Sequence, residues 1–292
     1  MRRATAPGGC RVIALPLAGW ISGRNIHPNK NIERLKKNGI KVYLGHAKKN
    51  IKNSTILVVS SAIKKSNSEI IFAKKKQLPI YKRGDMLAHV VSLLKRNIVV
   101  AGSHGKTTTT SIVSTIFSKS KLYPTTINGG VINSIGNSAK LGKGEWCILE
   151  SDESDGSFLQ LPFTYSIITN IDDEHIEHYG SIENLKKNFI KFAEKTPSFG
   201  KTLICLDDKN NKSIIGKLKN KNFLTYGFDE KSNFKIENVI QNIFYSKFDI
   251  KIVLPGNKKQ FIRDIEIPIN GLHNIRNATA AASVAFSIGI SN

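Results

Sequence analysis

From residue 30 onward, short apolar runs alternate with segments of helical spacing, the pattern of a parallel sheet covered by helices. The fold class read from it is α/β. A helix over 31–38 stops at Gly39, which is free to take the positive φ of a helix C′ position. Buried-strand patterns follow at 41–44, 56–60 and 79–81, with helices at 68–76 and 86–94, so a small α/β domain is expected over 1–95. The run Ile98-Val99-Val100-Ala101 then opens a strand-loop-helix unit and a second, larger domain over 96–292. Further strands are predicted at 146–149, 165–169 and 202–206. Residues 235–268 alternate more than they run, best in Phe248-Asp249-Ile250-Lys251-Ile252, which predicts an antiparallel insertion. An alanine-rich helix over 274–288 comes last.

The loop after the 98–101 run reads Gly102-Ser103-His104-Gly105-Lys106-Thr107, followed by a helix with Ile112, Val113, Ile116 and Phe117 on one face. Glycines let backbone N–H groups turn inward around phosphate oxygens, and a helix N-terminus adds partial positive charge. In that setting Lys106 would reach the β- and γ-phosphates of ATP, the Thr107 hydroxyl would ligate Mg²⁺, and Thr108 would stand on the α-phosphate side. Val100 occupies the place of the first glycine of the full phosphate-loop pattern, so a shorter loop is implied.

Two acidic stretches follow predicted strands. Glu150 comes directly after the 146–149 run, at a strand's carboxyl end, where open parallel sheets bind ligands and where a carboxylate can hold magnesium against phosphates. Within Glu150-Ser151-Asp152-Glu153-Ser154-Asp155, Asp152 and Asp155 individually also suit a solvated loop. Asn170-Ile171-Asp172-Asp173-Glu174-His175 follows the 165–169 run, and His175 is a candidate metal ligand or substrate-orienting group. His178, Asp207 and Asp208 are marked only by lying near strand ends.

Charge then has to be reconciled with this picture. The 292 residues carry 44 basic against 22 acidic side chains, a formal +22. The lysines fall in short groups beside Asn and Ile, without a basic stripe interleaved with aromatics, so nucleic-acid binding is the lesser reading. Cys10, Cys147 and Cys205 are an odd number without close spacing, which argues against a disulfide framework or a zinc site and fits a reducing cytoplasm. No apolar run approaches the roughly 18 residues of a membrane span.

Taken in order, several stretches resemble the Mur ligase family: 101–110 (Ala-Gly-Ser-His-Gly-Lys-Thr-Thr-Thr-Thr), Asn128-Gly129-Gly130, 150–158 (Glu-Ser-Asp-Glu-Ser-Asp-Gly-Ser-Phe), 169–175 (Thr-Asn-Ile-Asp-Asp-Glu-His), Thr225-Tyr226-Gly227-Phe228 and 271–279 (Gly-Leu-His-Asn-Ile-Arg-Asn-Ala-Thr). The resemblance covers roughly residue 32 to the C-terminus. It implies a Rossmann-like N-terminal domain that binds a UDP-sugar, and a central domain like the phosphate-loop ATPases with a mostly parallel sheet. It also implies peptidoglycan precursor synthesis. The reaction it implies is one in which ATP phosphorylates the carboxylate of UDP-N-acetylmuramate and the amine of L-alanine then attacks the acyl phosphate to form an amide. Carried over by position, Lys106, Glu150 and His175 are catalytic, and Thr107, Glu150 and His175 hold the metal. Gly102, Ser103, His104, Gly105, Lys106, Thr107 and Thr108, with His273, Asn274 and Asn277 on the adenine side, bind ATP. Ser60, Ser61, Arg83 and His104 resemble contacts to the UDP-sugar.

Two departures qualify the resemblance. Residues 1–20 show only Gly8-Gly9 where the family's first strand ends in a glycine-rich diphosphate loop, and Arg24-Asn25 stand where Ser-Asp is usual. An altered N-terminus is the expectation. The chain also stops at Asn292, where the family continues into a third α/β domain, which predicts nucleotide binding with little ligation. The competing readings are a sibling ligase for another amino acid or a peptide, an inactive fragment, and a basic nucleic-acid-binding protein on a decayed nucleotide fold.

Overall fold

A computed structural model describes residues 11–15, 20–23, 30–37, 39–60, 62–132, 137–174, 176–256 and 258–290. These divide into two compact units, one ending at His89 and the other beginning at Val90.

The first unit runs β1 (Arg11–Leu15), β2 (Trp20–Gly23), α1 (Lys30–Lys37), β3 (Lys41–Leu44), β4 (Ile56–Val59), α2 (Ser68–Lys75), β5 (Ile80–Lys82) and α3 (Arg83–Ser92), the last helix straddling the divide. Its sheet has the order β3-β2-β1-β4-β5. That is a Rossmann-like order with one strand reversed. The pairs β2–β3 and β4–β5 are parallel, whereas β1 is antiparallel to both β2 and β4. The reason is chain length: only residues 16–19 separate β1 from β2, and a parallel pair needs a crossover of about a dozen residues or more. Ile51, Leu57, Ile70 and Ala73 form the buried core. Beside them Glu69 is fully buried, and its carboxylate accepts from Ala47 N (3.2 Å) and Asn50 Nδ2 (2.9 Å) and meets His46 Nδ1 at 2.8 Å. The loop after β3 is thereby tied to α2, whose first turn is capped by Asn67.

The second unit contains β6 (Arg96–Ala101), α4 (Lys106–Lys119), β7 (Thr125–Ile132), β8 (Asn137–Lys140), β9 (Trp146–Glu150), β10 (Tyr165–Ile168), α5 (Ile176–Tyr179), α6 (Ile182–Glu194), β11 (Lys201–Cys205), α7 (Lys209–Ile215), β12 (Phe223–Gly227), β13 (Phe234–Gln241), β14 (Ser246–Ile252), β15 (Gln260–Ile267) and α8 (Leu272–Ile288). They build a ten-stranded sheet of order β15-β14-β13-β12-β11-β10-β6-β9-β7-β8. From β13 to β7 every neighbouring pair is parallel. Ile98, Val99, Val100 and Ala101 are all fully buried, as a central strand covered on both faces requires. α4 packs against α8, and α8 ends at Gly289 with φ +87°, the left-handed stop that lacks a Cβ penalty.

The alternating stretch is antiparallel, but it extends this same sheet rather than forming an insertion. β13 joins β12 in parallel, and β14 and β15 follow antiparallel at the edge. Both antiparallel pairs carry register shifts, between Glu237 and Ile240 and between Phe248 and Ile250. Asn238 (φ +53°) and Asp264 (φ +57°) sit at these irregularities, and both donate to the Asp249 carboxylate at 2.8 Å. The β7–β8 hairpin had no clear signal in the hydrophobic pattern, because Asn128-Gly129-Gly130 interrupts it with residues of low strand propensity.

Candidate functional site

The sheet order puts β6 between β10 and β9, so the loop leaving β6 is flanked by two strand ends. On the β10 side, Thr169 Oγ1 and Asn170 Nδ2 donate to His104 O at 2.7 and 3.0 Å. Asn170 Oδ1 accepts from His104 N at 2.9 Å, and Asn170 O accepts from Ser103 N at 3.1 Å. The fit leaves no room at Gly102. Its φ is +130°, and a Cβ there would stand 2.1 Å from Thr169 Oγ1. Gly105, at φ +80°, is likewise closed to a side chain by Asn277 Oδ1 at 2.6 Å. Both glycines are therefore required by geometry, and the backbone between them is held as a cradle.

Gly105 caps α4 without a side-chain hydrogen bond, and the first turn of α4, which carries Lys106, Thr107 and Thr108, has no acidic residue. The N–H groups and partial positive charge of that helix end are thus available to an anion. On the β9 side, Ser151 N and Oγ both donate to Val100 O, at 2.9 and 3.0 Å, fixing the acidic stretch against β6. The Glu150 carboxylate accepts from the Thr107 hydroxyl at 3.0 and 3.1 Å and from Gly129 N at 2.7 Å. Lys106 Nζ lies 2.8 Å from Glu153 Oε1.

The hydroxyl of Thr107 and the carboxylate of Glu150 are hard oxygen donors on neighbouring elements. Such a pair suits Mg²⁺, which keeps several waters and binds protein through one or two carboxylates together with phosphate oxygens. Among the described residues no group of three or more His, Cys, Asp or Glu stands ready to hold a metal by itself. His175 and Ser61 lie outside the described residues. His104 is half exposed, with Nε2 3.3 Å from Asp172 Oδ2. The N–H of Asp173, and after it the His104 ring, hold the Asp172 carboxyl below its ordinary range.

Beyond Gly105 the loop opens onto a cleft of about 350 Å³ whose far wall is α8, through His273, Arg276 and Asn277. Asn274 is not on that wall; its amide donates to Asn270 O at 2.7 Å. Arg276 was given no role by sequence, and Asp207 was marked only by its place near a strand end. Arg276 Nε donates to Asp207 Oδ2 at 2.6 Å, its guanidinium lies 5.2 Å from the Phe228 ring centre, and Asp207 Oδ1 accepts from Phe228 N and Asp229 N. Cys205 also lines the cleft, and burial pushes its thiol up to about 11. In the first unit, Ser60 follows β4 and Arg83 follows β5, so both stand at the carboxyl edge of one parallel pair.

Among the described residues no helix is long and apolar enough to cross a membrane. Residues 100–285 match the Mur ligase middle domain, and residues 17–95 match the Mur ligase family catalytic domain. The UDP-N-acetylmuramate–L-alanine ligase of Pelagibacter ubique is 63% identical over 93% of this chain, and that of Brucella anthropi is 39% identical over the same share. In both comparisons the chain spans 58% of the relative's length. The solved UDP-N-acetylmuramate-alanine ligase of Thermotoga maritima superposes with a TM-score of 0.77 at 25% identity, covering 92% of this chain and 59% of that one. A murein peptide ligase from Neisseria meningitides shares the fold, with a TM-score of 0.77 at 19% identity over 92% of this chain and 86% of that one. The nucleotide-loop geometry, the strand order and these matches have one reading: the chain belongs to the Mur ligase family.

Proposed function

We propose that this chain carries the nucleotide-handling and UDP-sugar-handling parts of an ATP-dependent ligase that joins L-alanine to UDP-N-acetylmuramate. The observation that carries the proposal is the Thr107 hydroxyl within 3.1 Å of the Glu150 carboxylate, beside a glycine turn closed to side chains. The muramate carboxylate attacks the γ-phosphorus and ADP leaves. The alanine amine then attacks the acyl carbon, inorganic phosphate departs with the carbonyl–oxygen bond, and the amine gives up a proton.

The chain's own contribution is charge management. A carboxylate must approach a triphosphate, and no side-chain nucleophile is needed. Lys106 and the α4 terminus offset phosphate charge, and Thr107 and Glu150 would hold Mg²⁺, which screens the rest. His273 and Asn277 face the nucleoside side of the cleft, and Ser60, Ser61 and Arg83 are proposed to meet the UDP-sugar, Arg83 because a guanidinium suits an anionic oxygen pair. His175 is proposed as a further metal ligand.

The test is calorimetric binding of ADP with Mg²⁺. Lys106→Ala is expected to weaken it by about 100-fold, the scale for removing one member of a desolvated charge pair. Unchanged affinity would sink the proposal. The murein peptide ligase superposes as well as the alanine ligase, so fold alone does not choose the amine substrate. Amine-dependent phosphate release, compared among alanine, glycine, serine and a tripeptide, makes that choice.

A further inference from the structure

The acidic stretch after β9 divides its carboxylates between two neighbours on α4. Glu150 faces the Thr107 hydroxyl, while Glu153, 2% exposed, faces the Lys106 ammonium. A lysine has three N–H donors and no acceptor. Here all three have partners: Gly102 O at 2.5 Å, Ser103 O at 3.1 Å and Glu153 Oε1 at 2.8 Å. The Lys106 side chain is only 14% exposed as a result. The residue that should meet phosphate is folded back under its own loop and neutralised there.

Glu153 is also fixed from behind. Its carbonyl accepts from the Tyr179 hydroxyl of α5 and from Gly156 N within its own turn, so its backbone is held both locally and from a separate helix. A phosphate arriving alone must take Lys106 away from a buried carboxylate and then sit close to that carboxylate. It also meets Glu150 on one side and Asp172 on the other. Like charge at close range in a partly desolvated site opposes this. A divalent cation changes the balance, because it offsets Glu150 and the phosphate oxygens together.

We propose that Glu153 is an internal counter-ion that latches Lys106 away from anions, so that the loop accepts nucleotide carrying Mg²⁺ and resists free nucleotide. This rests on the nucleotide reading of the loop and adds a positioning residue to it. Discrimination against metal-free nucleotide is then a property of the resting site.

The test measures ADP binding to the 292-residue chain by calorimetry, with Mg²⁺ or with EDTA. Glu153→Gln keeps the shape and an acceptor but removes the charge. It is expected to tighten metal-free ADP binding by about tenfold or more, the lower range for close charge pairs, and so to narrow the gap between metal-free and metal-bound affinities. In a Lys106→Ala background the same substitution should have a clearly smaller effect, which a double-mutant cycle reads directly. Glu153→Asp keeps the charge and is expected to leave metal-free affinity within about threefold of the parent chain. Thermal melts establish that each variant folds. The latch is overturned if Glu153→Gln binds metal-free ADP no more tightly than the parent, or if Glu153→Asp binds it as tightly as the Gln variant should. Absence of ADP binding in the parent under both conditions would overturn the nucleotide site itself, and the latch with it.

Discussion

Among the described residues two glutamates are buried at nearly the same depth, and their surroundings differ in kind. Glu69 in the first unit is met by a backbone N–H, an amide and an imidazole, all held on short tethers. Glu153 in the second is met by the end of a long, flexible lysine that belongs to a phosphate-type loop. Both carboxylates are costly to bury, and both are stabilised by close donors. The first arrangement joins a loop to a helix. The second holds a side chain that an anion can draw away, and that makes it a candidate for function. Burial marks a carboxylate as consequential; the mobility of its partner separates structure from chemistry.

Substitutions can break or sharpen this contrast. The largest effect is expected at Glu69. Replacing it with alanine takes the carboxylate acceptor from the Ala47 N–H and from the Asn50 amide, which keeps only Gly45 O at 3.3 Å; at roughly 1–3 kcal/mol for each lost bond, unfolding free energy should fall by about 3 kcal/mol in urea titration. A variant as stable as the parent would remove the structural side of the comparison. Next comes Gly102→Ala, which forces a Cβ to within 2.1 Å of Thr169 Oγ1 at a φ of +130°. The loop must shift, carrying with it the Gly102 carbonyl that holds Lys106, and a loss of about 2–3 kcal/mol is expected in MgADP binding by calorimetry.

Thr107→Val is expected to cost about 1.4 kcal/mol, tenfold, in MgADP affinity, with little change in metal-free binding. Equal losses in both would mean that Thr107 and Glu150 do not share the metal. The smallest effect belongs to an exposed carboxylate. Asp172 has its folded pKa lowered, by the Asp173 N–H first and His104 second. Its contribution is therefore present above the ordinary Asp value and is lost as pH falls through the lower folded one. Asp172→Asn should flatten the stability profile only below about pH 4, and only slightly, because solvent screens the site. A parent chain whose stability falls no more steeply than the variant's below about pH 4 would count against this assignment.

Much of the site's frame was legible in the chain. An unbroken apolar run that ends in Gly102 announces a buried strand and a turn, and Glu150 is marked by following another such run. Glu153 was not separable, because Glu-Ser-Asp-Glu-Ser-Asp reads as one acidic stretch. Which carboxylate turns inward depends on the bonds that the Ser151 N–H and hydroxyl make to Val100 O. Arg276 and Asp207 are 69 residues apart, and no local pattern joins them. Asn274 and Asn277 look alike in sequence, yet helix phase sends only the latter into the cleft. The reversed β1 was hidden for a different reason: hydrophobic periodicity carries no information about strand direction.

The outer rim of the larger sheet has a consequence of its own. Wherever a β-ladder ends, unpaired amides and carbonyls invite another chain to dock, and a straight rim would be a template for stacking molecule upon molecule. Here Asp249 fastens two kinks in the last three strands, and Arg263, Asp264 and Glu266 put charge of both signs along the final one. A rim so bent and so charged presents a poor mould for strand-upon-strand stacking of its own copies.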